Sequence, residues 1–216
     1  MIRMLGTRRS GRQRRDRQRG QGLVEFALVL PIFLMLMLIA LEFGLAFNHK
    51  LTVGLASREG ARVGSALAAG GVTSCGGGND PAGVDEQVIA AAQRILKSPG
   101  SDVVMSDISQ IGIYKATSTG AQSGGSVNVW TYTPGTGPDI DPSAVVDRLD
   151  FTESTVGWAA CSRNNGTSPD SIGVQVVYTY RLQTALGGIV NFLKPGTQSA
   201  TIGMTDQTIM ALNPTK

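Results

Sequence analysis

An uninterrupted apolar run, FALVLPIFLMLMLIAL, occupies residues 26–41 and sets the first limit on the fold. With the apolar residues on either side it predicts a helix of about 25 residues, which is long enough to cross a hydrocarbon core of about 30 Å. A buried core helix of a small domain would show a polar face. A secretory signal peptide would have a shorter apolar region followed by an A-x-A-like cleavage site. The run therefore predicts one transmembrane helix.

The positive charge of the chain is concentrated before this run. Residues 1–20 contain eight arginines and one acidic residue, so this segment carries +7, whereas the rest of the chain carries −4. A basic tail is often a nucleic-acid contact, but arginines directly before an apolar span are the positive-inside signal that keeps an N-terminus in the cytoplasm. We therefore expect a cytoplasmic N-terminus, an extracytoplasmic C-terminal part and no nucleic-acid partner.

Two glutamates, Glu25 and Glu42, lie at the ends of the apolar run. We expect Glu42, at the outer boundary, to reach interfacial water, whereas Glu25 enters the membrane edge unpaired. Ionisable groups in that position are costly and are usually functional, with a specific partner. Pro31 lies inside the predicted helix, where it removes one backbone N–H and its ring clashes with the carbonyl of Ala27. We therefore expect a kink at Pro31.

Residues 20–26, GQGLVEF, resemble a prepilin processing site of the Tad (Flp) pilus type, which has a basic leader ending in glycine, four further residues, and then glutamate before an aromatic residue. Residues 25–31, EFALVLP, are similar to the corresponding run of TadE-like proteins. Residues 56–62, ASREGAR, resemble the alanine-rich Arg-x-Gly-Ala-Arg segment that closes the domain of that family. The resemblance covers roughly residues 18–65, and the pseudopilins of general secretion resemble this junction less.

The resemblance implies a minor pilin (pseudopilin) that acts in the initiation, tip or assembly of a Tad-type pilus. A prepilin peptidase would cut after Gly20 and free the amino group of Gln21, and Glu25 would pair with this amine in a neighbouring subunit. The implied partners are the peptidase, the other minor pilins and the major pilin, the inner-membrane assembly platform and the membrane itself. The implied location is the cytoplasmic (inner) membrane, crossed once, with incorporation into the extracellular pilus.

Beyond the membrane the helical pattern continues to residue 69. A stripe of small and apolar residues follows one helical face, while Arg58 and Arg62 fall on the opposite face with Glu59 on the flank. We expect this stripe to pack against a head domain. Its members are Val53, Ala56, Gly60, Val63 and Leu67.

The predicted fold is α+β: a long N-terminal transmembrane, pilin-like helix, then a second helix and a mainly antiparallel four-stranded sheet. The predicted organisation is a basic leader at 1–20, a TadE-like transmembrane and extended helix at 21–69, and an exported globular head at 70–216. Residues 134–169, rich in Gly, Pro and Asp, are predicted to be a long loop. The second helix is predicted at 84–97, a short helix or turn at 184–192, and the strands at 108–116, 126–133, 171–183 and 199–212.

The two cysteines, Cys75 and Cys161, both fall in predicted loops on the exported side. Two thiols outside the cytoplasm most often pair, so an intrachain disulfide is expected; two free thiols or an intermolecular bond remain the alternatives. A metal site is not supported, because the chain has one histidine and no C-x-x-C motif. No cofactor is expected.

Recognisable catalytic motifs are absent from the sequence. There is no G-x-S-x-G, Walker or H-E-x-x-H pattern, and His49, the only histidine, is expected to be an interfacial residue beside Lys50. Trp130, on a predicted strand, is expected in the core. The chain is therefore predicted not to be an enzyme. The alternative to a pilin is a signal-anchored membrane protein with an extracytoplasmic binding or sensor domain, and cleavage after Gly20 distinguishes the two.

Overall fold

The computed structural model describes residues 12–67, 83–140, 148–193 and 201–213. In these residues the chain forms three α-helices and one five-stranded antiparallel sheet. The elements in chain order are α1 Arg12–Leu67, α2 Val84–Leu96, β1 Ile108–Ala116, β2 Gln122–Tyr132, β3 Phe151–Val156, β4 Ser171–Arg181, α3 Ala185–Leu193 and β5 Thr201–Ala211.

The sheet has the strand order β3-β2-β1-β4-β5, and all neighbouring strands are antiparallel. The prediction of four strands is wrong by one, because β3 lies inside residues 134–169, which are predicted to be a loop. Its sequence, FTESTV, buries only Phe151 and leaves the other residues of this edge strand half or fully exposed. The strand therefore lacks the apolar alternation that identifies a half-buried strand. The other elements agree with the prediction in type, and most of their ends agree within two residues.

The longest element, α1, is a single helix of 56 residues, about 84 Å long at 1.5 Å per residue. It passes without a break through the predicted leader boundary and through Pro31, so the kink at Pro31 stays a prediction. From Gly20 to Leu41 almost every side chain is exposed. Among the described residues, α1 holds the one segment that is long and apolar enough to cross a membrane, by length and composition.

The C-terminal half of α1 packs on β4, β5 and α2, and buried side chains of α2 belong to the same hydrophobic core as those of the strands. Of the predicted stripe on α1, Val53, Ala56 and Gly60 are buried in this contact, and the two remaining members are half-buried. Arg58 and Arg62 are exposed on the opposite side, as predicted. The amphipathic interpretation of this half of the helix is therefore confirmed.

Two glycines allow α1 to lie close to β4. A Cβ atom at Gly64 would come within 2.6 Å of the Cδ1 atom of Ile172, and one at Gly60 would come within 3.2 Å of the Cγ1 atom of Val174. Larger side chains at these positions would force the core apart. The C-terminal half of α1 is therefore fitted to the surface of the head.

The hydrophobic core lies between this helical layer and the sheet. The second helix contributes residues such as Ile89 and Leu96, and the strands contribute alternate residues such as Ile111 and Val174. Because alternate residues of a strand share one face of a sheet, the apolar set of each inner strand lies under the helices. Trp130 is buried in this core, as predicted.

Candidate processing and assembly site

The residues that resemble a processing site lie on the exposed N-terminal part of α1. Gly20, Gln21 and Glu25 are all exposed. The Nε2 atom of Gln21 donates a hydrogen bond to Oε1 of Glu25 at 3.2 Å, because residues four apart are neighbours on a helix surface. The structure therefore brings the three predicted residues together on little more than one open turn of helix.

Gly20 has no role in packing. A Cβ atom at Gly20 would meet no heavy atom within 4 Å, and the same is true at Gly22. Glycine inside a helix costs about 1 kcal/mol relative to alanine, so the fold alone favours another residue at both positions. Gly60 and Gly64 differ, because the close contact of α1 with β4 requires them. Recognition of Gly20 by another protein would account for a glycine that the fold does not need.

The predicted pair between Glu25 and the amine of Gln21 in a neighbouring subunit is not tested by a single chain. Within one chain, the two residues lie one turn apart. After a cut between Gly20 and Gln21, the helix would begin at Gln21, and Glu25 would lie at the end of its first turn. A helix dipole favours negative charge at that end, so the carboxylate of Glu25 would face positive charge from its own helix as well as from a neighbour.

Glu42 is buried against the head, so the expectation that it reaches interfacial water is wrong. Its Oε1 atom accepts hydrogen bonds from the Tyr180 hydroxyl at 2.5 Å and from the backbone N–H of Gln183 at 2.9 Å. Its Oε2 atom accepts one from the backbone N–H of Thr184 at 2.9 Å. The reason is that the chain leaves β4 beside α1 at this point, and the backbone N–H groups of the turn need acceptors. Glu42 ties the end of β4 to α1.

His49 is fully buried, so the expectation that it is an interfacial residue is also wrong. Its Nδ1 atom lies 2.7 Å from the hydroxyl of Tyr178, and its ring meets the ring of Tyr180 edge-on, with 5.1 Å between the centroids. Burial lowers the pKa of His49 and raises the pKa of Tyr178 to about 12. Both side chains are therefore neutral at pH 7, and they share a hydrogen bond rather than an ion pair.

These contacts form one polar cluster between α1 and the end of β4, which we call the junction cluster. Its members are Glu42, His49, Tyr178, Tyr180 and Gln183. Sequence reasoning missed it, although Glu42 and His49 lie eleven and four residues before Val53, at helical spacing on the buried stripe. Four of its side chains are buried and Gln183 is exposed, and their hydrogen bonds hold the head on the helix.

A second buried polar network joins α2 to the sheet, and no sequence motif indicates it. The Nη2 atom of Arg163 donates to both carboxylate oxygens of Asp85, at 2.6 and 2.8 Å. The Nδ2 atom of Asn128 donates to the same carboxylate at 2.6 Å, and the Arg163 guanidinium lies 4.7 Å from the centre of the Trp158 ring. Loss of one partner would leave a buried charge without compensation, so this network fixes α2 on the sheet.

The cysteines are only partly described. Cys161 is half-buried in a short 3-10 turn, Ala160–Ser162, and it is not a free cysteine. Cys75 lies outside the described residues, so the disulfide between Cys75 and Cys161 stays a prediction. Among the residues that the structure describes, no group of three or more His, Cys, Asp or Glu side chains could hold a metal ion.

Comparison with known proteins identifies the N-terminal part of the chain. Residues 20–62 match the family model for TadE-like protein, and the match covers about one fifth of the chain. No curated protein and no solved structure is significantly similar to the chain. The match begins at Gly20, the predicted cleavage residue, and ends at Arg62, in the half of α1 that packs on the head. The chain therefore carries a TadE-like domain at residues 20–62, within α1.

Proposed function

We propose that this chain is a minor pilin (pseudopilin) of a Tad-type pilus, and thus a structural subunit rather than an enzyme. The observation that carries the proposal is the TadE-like domain at residues 20–62. This domain lies on a helix that is exposed where the match begins and packed against a head where it ends. A TadE-like domain points to a Tad pilus system, so the components of that system are the proposed partners: the prepilin peptidase, the other pilins and the inner-membrane assembly platform.

In the proposed topology, α1 crosses the cytoplasmic membrane once. The basic residues 1–20 stay on the cytoplasmic side by the positive-inside rule, the apolar run 26–41 spans the hydrocarbon core, and the head lies outside. The position of the junction cluster supports this topology. Among the side chains of α1 that the structure describes, Glu42 is the first buried one, and it directly follows the apolar run. The contact with the head therefore begins where the run ends.

In the proposed assembly, cleavage after Gly20 creates the amine that pairs with Glu25 of a neighbouring subunit. It removes the charged leader and leaves the amine of Gln21 at the membrane edge. An unpaired carboxylate at Glu25 is costly in that position. Pairing it with the amine of a neighbouring subunit replaces an isolated charge by a compensated pair. Subunits that make this contact are therefore favoured over single subunits in the bilayer.

The head explains why we propose a minor subunit. By the resemblance, major pilins of the Tad type are little more than the processed helix. Helices in a bundle pack about 8–10 Å apart, whereas a head of this size has a radius of gyration near ~15 Å. A head at every position would crowd the shaft of the filament, but a tip or initiation complex needs few copies. Quantitative mass spectrometry of sheared pili should therefore find this chain as a small fraction of the major pilin, and equal amounts would contradict a minor role.

The N-terminal residue of the mature protein tests the proposal directly. In cells that make the pilus, intact mass measurement should show a chain that begins at Gln21. The Gly20→Leu variant should keep the leader, whereas Gly22→Leu, whose surroundings are equally open, should still be cleaved. Protein that keeps Met1 in piliated cells would overturn the pilin proposal and favour a signal-anchored protein with a binding or sensor domain.

A further inference from the structure

The connection between β4 and β5 lies at the end of the head that is nearest to the apolar run of α1. The strand β4 runs antiparallel to the direction of α1: Val174 lies against Gly60, and Tyr180 is bonded to Glu42. The chain therefore leaves β4 at the level of Glu42 and re-enters the sheet at Thr201, which pairs with Arg181. Everything between these two strands begins and ends at the membrane-proximal end of the head.

The helix α3 begins in this connection, immediately beside the apolar run. Two backbone N–H groups, those of Gln183 and Thr184, are bonded to the carboxylate of Glu42. The next residue, Ala185, is the first of α3, and Glu42 directly follows Leu41, the last residue of the run. The start of α3 is therefore held at the level at which α1 leaves the hydrocarbon core in the proposed topology.

The composition of α3 suits an apolar environment. Its sequence, ALGGIVNFL, has no charged residue, and nine residues are too few to cross a membrane, so such a segment is suited to an interface or a core. A place in the core is excluded for the Phe192 side chain near its C-terminal end, because Phe192 is 84% exposed, whereas Leu28 in the apolar run is 68% exposed. The main contact of α3 with another element is with α1.

From this placement we infer that α3 lies in the lipid–water interface of the membrane that α1 crosses, as a second membrane contact of the chain. The exposed surface of α3 contacts lipids of the outer leaflet, and it lies about 5–10 Å deep in the boundary between headgroups and acyl chains. Lipid is the occupant that fits this position, because Phe192 belongs to α3, and the residues before α3 are hydrogen-bonded to Glu42 at the end of the apolar run.

This second contact would have a mechanical consequence. A head attached to a membrane through one helix is free to rotate about the axis of that helix, but a second contact off the axis fixes one side of the head toward the bilayer. The N-terminal end of α3 is bonded to Glu42 of the junction cluster, so the restraint acts on the head through bonds that the structure shows. The inference rests on the proposed topology of α1, although not on pilus membership or on cleavage after Gly20.

Quenching of tryptophan fluorescence by brominated lipids tests this inference on the full chain in nanodiscs. Three single variants are compared, each at a side chain that is more than half exposed: Phe192→Trp in α3, Phe33→Trp in the middle of the apolar run, and Val156→Trp at the far end of β3. The emission of Trp130 and Trp158 is common to all and is subtracted by using the unsubstituted protein. Bromine is placed either high or low on the acyl chain.

We expect bromine high on the chain to reduce the added emission of Phe192→Trp at least about twofold, because a side chain about 5–10 Å deep lies close to those bromine atoms, and to leave that of Val156→Trp unchanged. Bromine low on the chain should act mainly on Phe33→Trp. If Phe33→Trp is quenched but Phe192→Trp behaves like Val156→Trp, then α3 is covered by solvent or protein and the inference is wrong. If Phe33→Trp is not quenched either, the topology of α1 itself is wrong, and so the two failures are distinguishable.

Discussion

The two halves of α1 share one backbone but have opposite surroundings. Residues 26–41 are apolar and exposed, whereas residues 49–65 bury small and apolar side chains on one face and expose charged ones on the other. An exposed apolar surface of this size is unfavourable in water and requires lipid or another protein. The second half already has its partner, the head. The two segments are therefore alike in helicity and differ in exposure. The apolar surface of residues 26–41 is open to other molecules, whereas the apolar face of residues 49–65 is buried against the head.

The glycines of α1 show the same division. Gly20 and Gly22 have empty space where a side chain would be, while Gly60 and Gly64 face side chains of the core. Packing therefore does not explain Gly20 and Gly22, whereas it explains Gly60 and Gly64. Substitutions in the two halves should change different properties: processing and assembly in the first, and stability of the head in the second.

The largest effect is expected from Glu25→Leu in the exposed half. Breaking a buried charge pair costs about 3–5 kcal/mol, so the amount of this chain in sheared filaments, relative to membranes, should fall at least about tenfold. The thermal unfolding of the head should not change. Glu59→Leu is the matched control, because it removes a carboxylate from the packed half, where the surface pair with Arg62 contributes little. Normal incorporation of Glu25→Leu, measured by quantitative immunoblot, would remove the proposed role of this residue.

The reverse result is expected from Gly64→Leu in the packed half. A Cβ atom at Gly64 would lie 2.6 Å from the Cδ1 atom of Ile172, so a leucine would displace side chains of the core, and overpacking of this kind costs about 1–3 kcal/mol. The unfolding temperature of the purified chain, followed by near-ultraviolet circular dichroism, should fall by roughly 5–10 °C, while cleavage after Gly20 continues. Gly22→Leu should leave the unfolding temperature unchanged. Equal unfolding temperatures for the two variants would show that the contact of α1 with β4 is not close in solution.

A loss of stability of similar size is expected from Glu42→Leu, at the boundary between the two halves. This change leaves the Tyr180 hydroxyl and two backbone N–H groups without their acceptor, and buried groups left unsatisfied cost about 1–3 kcal/mol. Glu42→Gln keeps one side-chain oxygen as an acceptor, so its unfolding temperature should lie between those of Glu42→Leu and the unsubstituted chain. Stability of Glu42→Leu equal to that of the unsubstituted chain would mean that water replaces the carboxylate at this site.

The parts of the fold that could be predicted are those whose chemistry is local in sequence. The apolar run, the glycine–glutamate spacing and the stripe of small residues each lie within one stretch of helix, and four of the five strands show enough apolar residues to be recognised. The strand β3 was not predictable in this way, because it is a polar edge strand and depends on pairing with β2 for its conformation.

The junction cluster and the Asp85–Arg163 network could not be predicted for a different reason. In each, the partners are distant in sequence: His49 meets Tyr178, and Asp85 meets Arg163. A charged or titratable residue in such a contact looks like an ordinary surface residue until the strand that covers it is placed. Glu42 and His49 are the instructive pair, because their helical spacing with Val53 indicated burial while their polarity indicated exposure. Hydrogen-bond partners on β4 decided the outcome.

The smallest expected effect is a dependence of stability on pH through His49, which tests whether this histidine is buried at the start of the packed half. Burial lowers the pKa of His49 below its ordinary value of 6.5, against the opposing attraction of the Asp102 and Asp107 carboxylates. The unfolded chain therefore binds more protons than the folded chain as the pH falls below about 6.5. The contribution of neutral His49 to stability is complete above that pH and is lost as the pH decreases toward the folded pKa.

Urea unfolding at about pH 7.5 and about pH 5.5 measures this loss. The full chain should lose more stability between the two pH values than the His49→Gln variant, whose glutamine cannot titrate but can still bond Tyr178. Carboxylates that titrate in this range are common to both proteins, so the difference between the two losses isolates His49. Equal losses would place His49 in contact with water.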